Sequence, residues 1–357
     1  MAPRRTRAER PTRRWPYALL LVAGVLTGVV SWGYTPDLPA EVLTQRYATA
    51  QSSFIDVGGV RTHIRDTGQD PANPDAVPLV LLHGSLESLD VWDGWAKELA
   101  PRVRVIAVDL PGHGLTGTWE RDEYTIDAYA DFVEVLADTL HLDRFALGGH
   151  SMGGAVAWSF ANTRPERVSH LVLVDSSGYP GTGGAPLSVQ IARLPVIGGI
   201  GIYFKPDPLV RRTLLEVYAD PAMVTPERMK RYAELQRFPG NRHATLLRVR
   251  TQDPLDPTPL KRLGVPTLIL WGARDRWVPV ADAHRFQNDI KGSKLEIFSG
   301  LGHNPMEEDP VATARAVAAF LPDKAPPRPE PPVRPPPRAD DSATGGQVRP
   351  ANEPEPD

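Results

Sequence analysis

Cysteine is missing from all 357 residues, so the chain has no disulfide framework, no thiolate nucleophile and no cysteine-ligated zinc or iron–sulfur centre. Its absence leaves the compartment open. A dominant sign of charge is missing as well: 40 Lys and Arg stand against 43 Asp and Glu, which gives no overall basic footprint and excludes nucleic acid as a partner. Histidine spacing forms no metal cluster. What is present is enough apolar side chain, 41% of the residues, for a sizeable core, which excludes disorder throughout. Proline is in excess at 38 residues, about twice ordinary usage, and twelve of these lie between Pro322 and Pro356. The folded part is therefore shorter than the chain.

The two ends differ in kind. Arg4, Arg5, Arg7, Arg10, Arg13 and Arg14 crowd the N-terminus, and Trp15 to Pro36 then carries no charged side chain. About twenty apolar residues at a rise of about 1.5 Å cover a hydrocarbon core of about 30 Å, and Trp15, Tyr17, Trp32 and Tyr34 stand where interfacial aromatics belong. This predicts a basic cytoplasmic flank (1–14), a transmembrane helix acting as anchor or signal (15–36) and a linker (37–53), with the remainder on the far side of the membrane. Two alternatives remain. Cleavage at Ala48-Thr49-Ala50 would release a secreted protein, although that site lies late after the apolar run. A buried soluble helix is disfavoured by Gly24, Thr27, Gly28 and Gly33 and by the lack of a polar face. The segment Thr12 to Tyr17 is similar to a twin-arginine signal, with Pro16 departing from that pattern. At the other end, Pro326-Pro327-Arg328-Pro329 and Pro335-Pro336-Pro337-Arg338 predict a disordered, polyproline-like tail (322–357) with no identified partner.

Between the ends, short aliphatic runs alternate with amphipathic stretches. The runs are Pro78 to Leu82, Val103 to Val108, Arg144 to Leu147, Val168 to Val174, Pro266 to Leu270 and Lys294 to Phe298. Each suits a strand buried on both faces. Val91 to Ala100, Ile126 to Leu140 and Val311 to Phe320 have helical spacing, and the alternation predicts an α/β fold with a mostly parallel sheet and helices on both faces. Phe54 to Val57 and Val60 to Arg65 flank Gly58-Gly59, a hairpin signal. Gly178 to Leu263 lacks buried-strand runs and predicts an inserted helical cap.

One motif carries the chemistry. Gly149-His150-Ser151-Met152-Gly153 follows a strand and opens a helix, which is the context of a G-x-S-x-G nucleophile elbow. The glycines are needed because so sharp a turn strains its central residue and brings neighbouring backbone close. A serine hydroxyl needs a base, and the base needs an oriented acid. Downstream, Asp275 follows the run ending Leu270-Trp271-Gly272, and His303 follows the run ending at Phe298. Leu81-Leu82-His83-Gly84-Ser85 places a loop after a strand, so that the backbone N–H groups of Ser85 and Met152 form the oxyanion hole.

With these residues in the order Ser, Asp, His, the chain resembles an α/β-hydrolase-fold serine hydrolase of the esterase and lipase type over roughly Phe54 to Leu321. The loop at His83-Gly84, the turn Asp109-Leu110-Pro111-Gly112-His113-Gly114, the elbow at Ser151, and the pair Trp271-Gly272-x-x-Asp275 and Gly302-His303 carry the likeness. The resemblance implies an eight-stranded sheet, a helical cap (about 178–263) inserted after the sixth strand of the domain at 54–321, catalysis by Ser151, Asp275 and His303 through an acyl-enzyme, and no cofactor. Haloalkane dehalogenases and epoxide hydrolases carry aspartate at the nucleophile position, so Ser151 argues against both.

Other residues compete for these roles. Asp175 ends the sixth strand, where some related hydrolases find their acid, but the Trp-Gly-x-x-Asp context favours Asp275. His150 points away from a turn this tight and is read as a packing residue. His83 and His113 are read as loop-fixing hydrogen-bonding residues, and Asp109 as the residue that fixes the following turn. Tyr203, Phe204, Tyr218, Tyr232, Phe238, Trp92 and Trp95 either line a pocket or belong to the core. The expectation is a membrane-tethered hydrolase of a small-molecule carboxylic ester with a fairly apolar acyl group. The alternatives are a C–C bond or other acyl hydrolase on the same triad, and a noncatalytic ligand-binding or adaptor protein.

Overall fold

The six aliphatic runs and the two hairpin arms become eight strands. The computed structural model describes residues 15–322 and 324, except 70, 72, 74, 75, 101, 181–189, 191, 192, 205, 206, 252 and 253; the basic flank, nearly all of the proline-rich tail and part of the predicted cap lie outside these. Two helices, α1 (Trp15–Gly33) and α2 (Ala40–Tyr47), precede the sheet. The hairpin β1 (Ser52–Val57) and β2 (Val60–Asp66) turns at Gly58 and Gly59, whose φ angles of +58° and +88° suit the predicted tight turn. There follow β3 (Leu79–Leu82), α3 (Asp93–Leu99), β4 (Val105–Val108), α4 (Ile126–Thr139), β5 (Phe145–His150), α5 (Met152–Thr163) and β6 (Val168–Val174). After an insert come β7 (Thr267–Gly272), then a helix, β8 (Lys294–Phe298) and two C-terminal helices. The strand order is β1-β2-β4-β3-β5-β6-β7-β8, antiparallel for β1/β2 and β2/β4 and parallel from β4 to β8.

Burial follows the pleat. Val80 and Leu82 of β3, Ile106 and Val108 of β4 and Leu171 and Leu173 of β6 face one core, shared with Tyr129, Phe132 and Val133 of α4 and Val156 and Phe160 of α5. The alternate residues, Leu79, Leu81, Val105, Ala107, Val172 and Val174, face a second core with Trp92, Trp95 and Leu99. Both faces are thus apolar and both are covered, the condition for a parallel sheet. Trp92 and Trp95 are core residues rather than pocket lining: both are fully buried, and the Trp95 indole N–H donates to Thr313 Oγ1 at 2.8 Å. Helix starts are set locally, since the Thr125 hydroxyl accepts the Ala128 N–H at the head of α4.

The insert between β6 and β7 is helical, with α6 (Pro195–Gly201), α7 (Asp207–Val217), α8 (Pro226–Leu235) and α9 (Asn241–Thr251). The chain leaving α1 is strapped to it. Thr35 N–H donates to Tyr203 O and Leu38 N–H to Arg237 O, each at 2.8 Å, while Arg242 bonds Thr35 O and pairs with Asp37. Leu43 of α2 is fully buried against Leu115, Leu235 and Phe238. By contrast, Trp15, Tyr17, Leu19, Leu20, Leu21, Val22 and Val25 of α1 are 55–76% exposed. No helix is long and apolar enough to cross a membrane when only the described residues are searched. The side chains at 16, 26, 29, 30 and 32 of α1 fall outside that description. The chain closes with α10 (Val280–Asp289), α11 (Pro305–Glu308) and α12 (Pro310–Phe320).

Candidate active site

Strand ends place the candidate residues. Ser151 sits between β5 and α5 with φ +49° and ψ −114°, a left-handed, strained conformation for a residue with a Cβ. Its backbone is held from both sides, Ser151 N–H donating to Val174 O and Ser177 N–H to Ser151 O, each at 3.0 Å. A Cβ at Gly149 would run into the Gly153 carbonyl, and one at Gly153 into the Leu82 carbonyl, so both positions require glycine.

Asp275, in the turn after β7, and His303, in the loop after β8, meet. His303 Nδ1 lies 2.7 Å from Asp275 Oδ2, and both side chains are buried. Asp275 Oδ1 accepts the N–H groups of Trp277 at 2.7 Å and Val278 at 3.0 Å. Burial raises this carboxyl, but His303 and the two amides outweigh burial and hold it below its ordinary range. His303 N–H is fixed to Val217 O at 2.8 Å, and the Trp277 ring stacks over the imidazole at 6.0 Å. Among the described residues, no hydrogen bond joins Ser151 to His303; such bonds are often long in unliganded sites.

Asp175 also lies near. One ligand-type atom from each of Asp175, Asp275 and His303 falls within 4.8 Å of the others. In this group Nδ1 and Oδ2 are already hydrogen-bonded to each other, so a metal would have to displace the Asp275–His303 contact. Asp175 Oδ1 accepts the Gly272 N–H at 3.0 Å, while Oδ2 has no partner among the described residues. Burial, with Asp275 beside it, drives this carboxyl well above its ordinary range.

The loop after β3 presses on the elbow. A Cβ at Gly84 would stand 2.7 Å from Glu87 Oε2, 2.8 Å from His150 Nδ1 and 3.1 Å from Ser151 Cβ. Gly84 N–H is committed to Glu87 Oε2 at 2.7 Å. Among the described residues, the N–H groups of Ser85 and Met152 have no protein acceptor. His83 fixes the loop as expected, its Nδ1 donating to Gly84 O at 2.7 Å and its Nε2 accepting the Leu110 N–H at 3.1 Å. His113 Nδ1 contacts Pro111 O at 3.2 Å. Asp109 accepts from Leu115 N–H at 2.8 Å, as its turn-fixing role requires, and also from Leu89 N–H and His63 Nδ1, each at 2.7 Å.

His150 departs from the expectation of a packing residue. Its two ring nitrogens contact Glu87 Oε2 and the His303 carbonyl, each at 2.8 Å. Glu87, Asn304, Glu307 and Trp277 were not singled out from the sequence, although each lies within three or four residues of a motif that was. Tyr218 OH donates to Glu307 Oε2 at 2.6 Å and Tyr232 OH accepts from Asn304 at 3.3 Å, which places both phenols beside the base loop. Phe238 packs with Leu43, and Tyr203 and Phe204 touch the strap after α1.

A family model described as alpha/beta hydrolase fold matches residues 77–310. An uncharacterized protein of Mycobacterium tuberculosis is 30% identical over 293 residues, covering 75% of this chain and 80% of its own. The 2-hydroxy-6-oxo-2,4-heptadienoate hydrolase of Pseudomonas putida is 30% identical over 271 residues, covering 74% and 94%. The solved structure of the meta-cleavage product hydrolase CumD from Pseudomonas fluorescens IP01 superposes with a TM-score of 0.65 at 26% identity, covering 75% of this chain and 96% of that one.

Proposed function

The chain belongs to the alpha/beta hydrolase fold family, and from that premise we propose a serine hydrolase that cleaves a carboxylic ester through an acyl-enzyme on Ser151, with His303 as base and Asp275 as its orienting acid. The observation that carries the reading is the 2.7 Å contact of His303 Nδ1 with a buried, ionised Asp275, on a loop whose His303 carbonyl meets His150, the residue before a serine held on a strained elbow. Because Nδ1 is committed, Nε2 is the nitrogen left to take the Ser151 proton and to return it to the leaving alcohol. The Gly84 N–H is also committed, so the oxyanion donors assigned here are the next amide, Ser85, and that of Met152 at the head of α5. Water then attacks the acyl-enzyme with His303 again as base. The α6 to α9 insert forms the cap over this site and sets the acyl preference, with Tyr218 and Tyr232 at its inner edge.

A fluorophosphonate probe tests the nucleophile. The folded protein should gain one adduct, mapped to Ser151, and Ser151→Ala should lower kcat on p-nitrophenyl esters by about a million-fold. No adduct on folded protein, with ligand binding but no turnover, would favour a binding protein instead. C–C bond hydrolysis on the same triad is the second reading, supported by the likeness to a 2-hydroxy-6-oxo-2,4-heptadienoate hydrolase. A vinylogous 1,5-diketone assayed beside an ester chain-length series separates the two.

The membrane tether is part of the proposal. Its support is a 19-residue helix without a charged side chain, about 28 Å long at about 1.5 Å per residue, whose described apolar side chains face outward. Cleavage after Ala50 would remove the strap and the buried Leu43, which favours retention of the segment over secretion.

A further inference from the structure

Three loops from three strand ends meet on one buried carboxylate. Glu87 Oε2 accepts the Gly84 N–H at 2.7 Å and faces His150 Nδ1 at 2.8 Å, while Glu87 Oε1 accepts the Asn304 side-chain N–H at 2.7 Å. The other nitrogen of His150 reaches the His303 carbonyl at 2.8 Å. Every residue so held adjoins one of the assigned catalytic groups: Gly84 precedes Ser85, His150 precedes Ser151, and Asn304 follows His303.

Hydrogen counting fixes the ionisation of the pair. A carbonyl oxygen only accepts, so His150 Nε2 must carry a hydrogen. Both Glu87 oxygens accept N–H groups from elsewhere, as an ionised carboxylate does, and Nδ1 then donates as well. An imidazole that donates from both nitrogens is a cation. The surroundings agree. Burial opposes charge on both partners, but it is outweighed by His150, His303 and Asn304 together around Glu87, whose carboxyl is held at about 2, and by Glu87, the His303 backbone and Asp275 together around His150, which is raised above its ordinary value. Other charged or titratable groups around the His150 ring are His303, with ring centroids 4.6 Å apart, Asp275 and His83.

We propose that Glu87 and His150 form a positioning ion pair that sets the Ser85 amide, Ser151 and His303 relative to one another, with His150 a standing imidazolium behind the nucleophile. The proposal rests on the serine hydrolase reading and adds to it two residues that touch no substrate. Near-attack geometry is the quantity at stake, and misplacement by about 1 Å costs on the order of a hundredfold in rate. The charge has a second consequence. When His303 becomes an imidazolium in the transition state, it does so beside the His150 cation, and Glu87 and Asp275 then balance the two positive charges.

Glu87→Gln is the test, because it keeps the side-chain shape and an acceptor for Gly84 while removing the charge. On a p-nitrophenyl ester kcat should fall by about 10- to 100-fold with KM within about threefold. The double variant with His150→Gln should lose no more than the worse single variant, as for residues that act as a unit. Nitrogen-15 spectra of the wild-type histidines at neutral pH should show both His150 nitrogens protonated, and Glu87→Gln should convert this ring to the neutral form. A neutral His150 in the wild type at that pH, additive losses, or a Glu87→Gln variant within about twofold of wild-type kcat would each overturn the proposal. Should Glu87→Gln fail to fold, the wild-type spectrum alone decides. A wild-type protein that takes no fluorophosphonate label fails the serine hydrolase reading instead, and the His150 spectrum still reports on the pair.

Discussion

Two carboxyl groups crowd the His303 imidazole, and like charges so close do not both ionise. Asp275 has the imidazole and two amides to stabilise its charge, whereas among the described residues Asp175 accepts the Gly272 N–H alone. Burial and the neighbouring Asp275 drive Asp175 well above its ordinary range, so Asp175 is neutral and Asp275 is the triad's anion. Asp275→Asn should therefore lower kcat by about 10⁴-fold, the scale seen when a triad acid is lost. Asp175→Asn replaces one neutral group by another of the same shape and should change kcat by less than about tenfold. Steady-state kinetics on both variants would reverse the assignment if the losses came out the other way round. The choice between these two acids was legible in the sequence only as context, Trp-Gly-x-x-Asp; the contact with Nδ1 required the fold.

At the level of elements, the loops after β3 and β4 are held together by Asp109, whose carboxylate takes hydrogens from Leu89, Leu115 and His63 of β2. Burial raises this carboxyl, but His63, His83 and the Leu115 amide outweigh burial and set it at about 2, against an ordinary 3.8. A folded value below the unfolded one means that the stabilisation is complete above about pH 4 and is lost as pH falls towards 2, with a magnitude of about 2 kcal/mol. Asp109→Asn should accordingly cost about 2–4 kcal/mol at pH 7, and the gap from wild type should close between pH 4 and 2. Urea titrations at pH 7, 4 and 2.5 measure it; a gap that stays constant would contradict this account. The sequence exposed such elements well where their signal is local. Ser151, Asp275 and His303 each follow a strand that reads as an aliphatic run, and the hairpin reads from two glycines. It did not expose Glu87, His150 and Asn304 as a unit, because their meeting depends on three loops closing in space. The insert was opaque for a related reason: Arg242 and Arg248 look like solvent-facing helix residues by composition, yet both are buried against neighbouring chain segments.

Over the whole molecule, the net charge of -3 averages an arginine-rich start against an acidic remainder, and the proline excess is densest in the tail. The strap after α1 makes a further division visible. Pulling on α1 loads Thr35, Asp37, Arg237 and Arg242, and hence the α6 to α9 insert, before it loads the sheet. A tether attached there would keep the insert, and any cap function it has, near the surface that holds α1. The helix can be tested without disturbing the domain, because Leu21 and Val25 are 70% and 57% exposed and contribute little to the core. Leu21→Asp with Val25→Asp places two charges where each would cost about 3 kcal/mol in a bilayer. The wild-type chain is expected in the membrane fraction after an alkaline carbonate wash, and the double variant in the soluble fraction with its activity on a water-soluble ester unchanged. A wild-type chain that washes off, or one whose mature N-terminus begins after Ala50, would remove the tether.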